Sequence, residues 1–199
     1  MVILVIGGSG SGKSERAESL VLELGEKRIY LATMIASGEE GKQRVERHKK
    51  LREGKEFDTI ECPLFLEKLD LSGGTEDPVK EKSKLLGDYK ISEKEKTKPL
   101  EGTAALIEDI PNLVANEMFE EEGRGERCVQ IIKEGIARLQ KQVEHLVIVT
   151  GNVSEDGSLF DGDMKRYMEC LNECNAFLAQ MADQVEEVVC GIPLRIKQG

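Results

Sequence analysis

The feature that most constrains this chain is its start. Five apolar residues, Val2-Ile3-Leu4-Val5-Ile6, run straight into Gly7-Gly8-Ser9-Gly10-Ser11-Gly12-Lys13-Ser14, which fits G-x-x-x-x-G-K-[ST] in full. A helical pattern, Lys13 to Leu24, follows at once. Strand, glycine-rich loop and helix in that order make a phosphate cradle. The glycines let successive backbone N–H groups turn inward, and the helix N-terminus adds partial positive charge. In such a loop Lys13 reaches the β- and γ-phosphates and the Ser14 hydroxyl coordinates Mg²⁺. The motif announces nucleotide binding without choosing between a kinase, a nucleotidyltransferase, an ATPase and a switch.

Beyond the loop, short β-branched runs alternate with helical periodicity. Strands are expected at Val2 to Ile6, Arg28 to Ala32, Phe57 to Glu61, Ala104 to Glu108, Leu146 to Thr150 and Val185 to Cys190, with a last edge strand at Leu194 to Lys197. Helices are expected at about Lys13 to Leu24, Glu40 to Arg52, Pro111 to Glu121, Glu126 to Glu144 and Asp163 to Ala182. This alternation predicts βαβ units around a parallel sheet. With the loop, it predicts an α/β fold of the P-loop NTPase (RecA-like) type, three layers with a mostly parallel central sheet. At 199 residues the chain suits one domain, residues 1 to 199. One stretch breaks the rhythm: from about Leu71 to Pro99 the chain is dense in Lys and Glu, and reads as a solvated, mobile insertion.

Charge excludes one partner class. Lys plus Arg number 28 against 38 Asp plus Glu, a net charge of -10. Phosphate neutralisation supplies most non-specific nucleic-acid affinity, so no nucleic-acid partner is expected. No apolar run approaches the roughly 20 residues that cross a bilayer, so no membrane span is expected. The five cysteines, Cys62, Cys128, Cys170, Cys174 and Cys190, lack C-x-x-C spacing and read as ordinary thiols of a reducing cytoplasm.

Two further segments carry chemistry. Glu108 and Asp109 end the apolar run Ala104-Ala105-Leu106-Ile107, where a metal-orienting carboxylate belongs. Adjacent strand residues point to opposite faces, so one of the two faces the loop. His145 precedes the strand Leu146 to Thr150 and reads as a surface or turn residue. His48 lies in Lys42-Gln43-Arg44-Val45-Glu46-Arg47-His48-Lys49-Lys50-Leu51-Arg52, the densest basic segment of an acidic chain. On a helix Arg44, His48 and Arg52 share a face. Flanking cations favour neutral, nucleophilic imidazole and attract a triphosphate, so His48 could take a nucleotidyl group on nitrogen. The same run also reads as a solvated basic helix face.

Several motifs together resemble one family, the bifunctional adenosylcobinamide kinase/adenosylcobinamide-phosphate guanylyltransferases of cobalamin biosynthesis. The family's G-G-x-R-S-G-K-S is matched by Gly7 to Ser14, with Gly10 in place of arginine. Its Y-[IL]-A-T strand end is Tyr30-Leu31-Ala32-Thr33, and its R-[IV]-x-x-H-[KR]-x-x-R is Arg44 to Arg52. A strand ending in Glu corresponds to Glu61, and an acidic-ended strand with Asn eight residues later to Glu108 and Asn116. The C-terminal patterns are matched by Asn175 to Val185 and by Gly191-Ile192-Pro193-Leu194-Arg195-Ile196-Lys197. The chain departs from the family after Thr150, where Asn152 replaces a carboxylate and most of a glycine-rich motif is lost.

The resemblance implies two reactions. ATP or GTP would phosphorylate adenosylcobinamide, a corrinoid, and GTP would then guanylylate His48 on the way to adenosylcobinamide-GDP. Carried over by position, His48 and Lys13 would be catalytic. Gly7, Gly8, Ser9, Gly10, Ser11, Gly12, Lys13, Ser14, Ala32, Thr33, Met34, Lys49, Lys50, Leu51, Arg52, Glu61 and Glu108 would line the nucleotide site, with Ser14 and Glu108 holding Mg²⁺. A homo-oligomer is implied, the family's assembly being a trimer. A chain keeping one of the two activities, or a non-catalytic P-loop nucleotide-binding regulator, is the alternative.

Overall fold

A computed structural model of the chain describes residues 1–35, 38–39, 41, 43, 46, 50, 54–71, 99–152 and 162–199. Its strands are β1 (Val2–Gly7), β2 (Lys27–Ala32), β3 (Asp58–Glu61), β4 (Leu100–Glu108), β5 (Val143–Gly151), β6 (Gln184–Val189) and β7 (Ile192–Gln198). Its helices are α1 (Lys13–Leu24), α2 (Ile110–Phe119), α3 (Cys128–Leu139) and α4 (Gly162–Met181). The strands form one sheet in the order β3-β2-β4-β5-β1-β6-β7. All neighbours are parallel except β6 and β7, which form an antiparallel hairpin at the edge.

Alternation along the strands divides the core in two. Val2, Leu4, Ile29, Leu31, Ala105, Ile107 and Ile148 pack under Leu113 of α2, Ile132 and Ile136 of α3, and Leu171 and Leu178 of α4. Ile3, Val5, Tyr30, Ala104, Leu106, Val147 and Val149 pack against Ala17, Leu20 and Val21 of α1. The molecule therefore has three layers, with both faces of the mostly parallel sheet covered, as the P-loop NTPase reading requires.

Element boundaries differ from expectation in physically explicable places. The helix expected over Glu126 to Glu144 ends at Leu139. Val143 to His145 instead start β5, where His145 pairs with Ala104 and lies within the strand. Leu139 and Val143 keep a helical four-residue spacing, and pairing with β4 overrides it. β4 starts at Leu100, earlier than Ala104, across a register shift that contains Gly102 at φ +67°. β7 extends beyond Leu194 to Lys197 at both ends. Of the helix expected over Glu40 to Arg52, the described residues Gly41, Gln43, Glu46 and Lys50 are helical. The charged insertion, expected over about 71–99, lies outside the described residues between Leu71 and Pro99.

Candidate functional site

The carboxyl ends of β1, β2, β3 and β4 meet at one sheet edge, where Gly7 to Ser14, Ala32 to Met34, Glu61 and Glu108 stand. At the loop, Gly10 and Gly12 adopt φ +69° and +91°, conformations that L side chains resist. Gly7 has no room for a side chain: a Cβ there would stand 2.4 Å from Ser11 Oγ and 2.8 Å from the Val188 carbonyl oxygen. The Ser11 N–H donates to the Gly8 carbonyl at 3.3 Å, and Lys13 Nζ lies across the loop, donating to the Gly8 carbonyl at 3.2 Å.

Register sets the next residues in a row. Ala32 pairs with Glu61 on one side and Glu108 on the other. Of the two carboxylates ending β4, it is Glu108 that faces the loop: Ser14 Oγ donates to Glu108 Oε1 at 2.7 Å. The second oxygen, Glu108 Oε2, is buried without a hydrogen-bond partner. Burial and the neighbouring Asp109 carboxylate push the Glu108 carboxyl up to about 8, against the opposing pull of the Ser14 hydrogen bond and Lys13.

Asp109 does different work. Its side chain accepts from Asn112 N at 3.0 Å and so caps α2, with Pro111 in the first turn. Thr33 is fully buried, and its hydroxyl accepts from Asp109 N at 2.7 Å. The Thr33 N–H donates to the Glu108 carbonyl at 3.0 Å, which locks the ends of β2 and β4 together. Asn116 Nδ2 then donates to the carbonyls of Thr33 at 2.7 Å and Pro63 at 3.0 Å, tying α2 to both segments. Thr33 is thus held by backbone, while Ala32 and Met34 are half-buried at the edge and Glu61 and Lys50 are exposed. His48, Lys49, Leu51 and Arg52 lie outside the described residues.

Two contacts that residue patterns could not reveal brace the loop from the other side. Arg16, two residues past Ser14, makes a two-pronged pair with the buried Glu186 of β6, at 2.7 and 3.1 Å. Gly191, in the turn between β6 and β7, donates its N–H to the Ser11 carbonyl at 2.8 Å. Away from the loop, Glu117, fully buried on α2, accepts from the backbone N–H groups of Phe65 at 2.7 Å and Arg124 at 3.2 Å. Arg16 and Glu186, Ser11 and Gly191, and Phe65 and Glu117 are far apart in sequence, so only a fold could have found those pairs.

The oxygens of Ser14 and Glu108 suit a hard cation such as Mg²⁺. That ion is commonly held by one or two protein oxygens and the phosphates of its substrate. An orphaned, buried carboxylate oxygen beside a hydroxyl is what such a ligand set looks like. Among the described residues no group of three His, Cys, Asp or Glu could hold a metal by itself. No helix among them is long and apolar enough to cross a membrane.

Comparison with known proteins assigns the family. The chain matches the family described as cobinamide kinase / cobinamide phosphate guanyltransferase over residues 3–86 and 80–196. It is 28% identical over 212 residues to the bifunctional adenosylcobalamin biosynthesis protein CobU of Salmonella typhimurium, covering 99% of this chain and 100% of that one. Among solved structures it is similar to the flagellar accessory protein FlaH of Methanocaldococcus jannaschii, with 13% identity and a TM-score of 0.45, covering 100% of this chain and 78% of that chain. It is also similar to a KaiC-like protein of Pyrococcus horikoshii OT3, with 15% identity and a TM-score of 0.43, covering 94% of this chain and 71% of that chain. On the family match, which runs through nearly the whole sequence, this chain belongs to the cobinamide kinase / cobinamide phosphate guanyltransferase family, the bifunctional transferases of cobalamin biosynthesis.

Proposed function

We propose that the chain carries out both family reactions on one domain spanning residues 1 to 199, with ATP or GTP as phosphate donor. In the first, the aminopropanol hydroxyl of adenosylcobinamide attacks the γ-phosphorus, loses its proton, and the nucleoside diphosphate leaves. In the second, the His48 imidazole attacks the α-phosphorus of GTP and pyrophosphate leaves. The cobinamide phosphate then attacks the same phosphorus, the P–N bond breaks, and adenosylcobinamide-GDP forms with His48 restored.

The observation that carries this reading is the Ser14–Glu108 contact beside Lys13 at the mouth of the glycine loop. The loop N–H groups and Lys13 bind and orient the triphosphate, which phosphoryl transfer needs above all. Ser14 and Glu108 would hold Mg²⁺, which when bound supplies neutralisation of the charge on the phosphate oxygens. Ala32, Thr33, Met34, Lys49, Lys50, Leu51, Arg52 and Glu61 line the nucleotide on this reading. A homo-oligomer, a trimer by family resemblance, is part of the proposal. So is a cytoplasmic location, which the five free cysteines support.

GTP labelled in its α-phosphate tests the chemistry. The protein should acquire an acid-labile label that cobinamide phosphate discharges, and His48→Ala should lose the label while keeping kinase turnover. Kinase turnover with no labelling of the wild type would leave a kinase alone. Failure to phosphorylate cobinamide at all, with nucleotide still bound, would favour the regulator.

A further inference from the structure

Asn175 opens the C-terminal motif, and the reactions above give it no part. It lies half-buried on α4, and its amide spans the end of β5. The hydroxyl of Thr150, fully buried, donates to Asn175 Oδ1 at 2.6 Å, and Asn175 Nδ2 donates to the Gly151 carbonyl at 3.2 Å. Both ends of the amide are committed, so the side chain has one orientation. Two turns earlier on the same helix, the Tyr167 hydroxyl donates to the Pro111 carbonyl at 3.3 Å, where the chain has left Glu108 and Asp109 to start α2. α4 thus holds two neighbouring strand ends by polar groups, on a helix whose buried residues are otherwise Met168, Leu171, Cys174 and Leu178.

Strand order gives this hold a consequence. β5 lies between β1, which leads into the glycine loop, and β4, which carries Glu108. The 2.7 Å contact between Ser14 and Glu108 therefore reaches across the end of β5. In register, Thr150 pairs with Ile6 and Gly151 with Gly7, the first residue of the loop. The two backbones share one ladder, so a displacement of Thr150 and Gly151 carries Gly7 with it. Gly7 is packed against Ser11 and the Val188 carbonyl, and the displacement passes on to the loop. Asn175 meets the sheet from the α4 side, whereas Ser14 and Glu108 meet on the α1 side. It acts through the backbone of β5 and not on the reacting atoms.

We propose that Asn175 is a positioning residue for phosphoryl transfer at the glycine loop: by holding Thr150 and Gly151 it fixes the end of β5, and with it the span that Ser14 and Glu108 bridge. The proposal rests on the reading of that span as the place where the triphosphate is held. Transfer is sensitive to small misplacements, whereas phosphate binding is spread over several loop N–H groups. Loss of Asn175 therefore lowers kcat and leaves the nucleotide KM nearly unchanged. Stability falls as well, as it does when any buried hydrogen bond is removed, so a control on the same helix is needed. Lys197 supplies it. Its ammonium donates to the carbonyls of Ala179, Gln180 and Ala182 at the C-terminal end of α4, at 3.1, 3.0 and 2.6 Å.

The test measures cobinamide kinase turnover against nucleotide concentration, with thermal melts, on the full chain. Asn175→Leu should lower kcat about tenfold with the nucleotide KM within about twofold of the wild type. Thr150→Val, which removes one hydroxyl and keeps the branched shape, should lower kcat in the same way, and Thr150→Ser, which keeps the hydroxyl, should recover most of the rate. The Thr150→Val/Asn175→Leu double variant should lose no more than Asn175→Leu alone, the mark of two groups in one contact. Lys197→Met should lower the melting temperature while kcat stays at the wild-type value. An unchanged kcat in Asn175→Leu overturns the proposal, and where that variant does not fold, an unchanged kcat in Thr150→Val does so. A fall in kcat shared by Lys197→Met at a matching loss of melting temperature also overturns it, because α4 then acts through stability alone. A raised KM with kcat intact overturns it by making Asn175 a binding determinant. A wild type without kinase turnover removes the triphosphate-site reading, and the proposal with it.

Discussion

The proposed role of Glu108 and its surroundings pull in opposite directions. A cation needs its carboxylate ionised, whereas burial and Asp109 favour the neutral acid, raising its value from the ordinary 4.5 to about 8. In magnesium-free buffer the folded chain therefore keeps a proton between those two values that the unfolded chain has released. Stability from this group falls as pH rises through that window, and the fall stops above about 8, where both states are ionised. Urea titrations across pH should show this slope, and Glu108→Gln should remove it. The same variant should lower kinase turnover on the order of a hundredfold, because charge stabilisation at the phosphates is lost. Asp109→Asn keeps an N-cap for α2 and takes away the repelling charge, so the slope should end at a lower pH. Lys13→Ala should abolish both activities in direct assays, since on the proposed reading both donors use the loop. At this scale the sequence was informative but incomplete. The loop spells its own chemistry locally, whereas the choice of Glu108 over Asp109 depends on which face of β4 meets α1, a packing fact.

At the scale of elements, the start of α1 is clamped from two sides, by Ser14 to Glu108 on β4 and by Arg16 to Glu186 on β6. Arg16 holds the Glu186 carboxyl below its ordinary 4.5, chiefly through their hydrogen bond. Stability from that shift is present above 4.5 and is lost as pH falls through the lower folded value. Arg16→Met should destabilise the chain by about 2 kcal/mol, less than a fully sealed pair because Arg16 is part-exposed and Gln184 and Arg195 remain beside Glu186. Adding Glu186→Leu should recover part of the loss, since no buried carboxylate is then left without its partner. Thermal melts of the single and double variants measure both effects. Most elements were legible because their periods are clean: β1 is uniformly apolar, and α1 begins where the glycines stop. The end of α3 was not, because the polar run from Gln140 to Gln142 carries no stop signal and the pairing of β5 with β4 decides the boundary. The clamp was invisible for a simpler reason: Arg16 and Glu186 are 170 residues apart.

Across the whole molecule, the glycine loop, Lys13, Ser14 and Glu108 stand at one edge of the sheet, the carboxyl ends of β1 and β4. Leu71 and Leu100, on either side of the charged stretch, are anchored away from that edge. Leu71 N donates to Gln142 Oε1 at 2.7 Å, and Leu100 N donates to the Gln142 carbonyl at 2.9 Å. The Gln142 side chain also donates to the Leu69 carbonyl at 3.0 Å. One residue thus holds the chain where it leaves and where it returns. That point lies at the start of β4 and β5, the edge opposite to Glu108 and the glycine loop. Because the ends are already together, replacing residues 72–98 by a short Gly/Ser linker adds no strain, and loop-closure entropy favours the shorter connection. The shortened chain should melt no lower than the wild type and keep both activities within about twofold, allowing for ordinary variation in surface substitutions. Gln142→Ala, by contrast, should lower the melting temperature in both backgrounds, because it removes side-chain bonds at a buried junction. A shortened chain that folds as well and binds nucleotide as tightly, yet no longer phosphorylates cobinamide, would place corrinoid contacts in that stretch and end the view of it as dispensable.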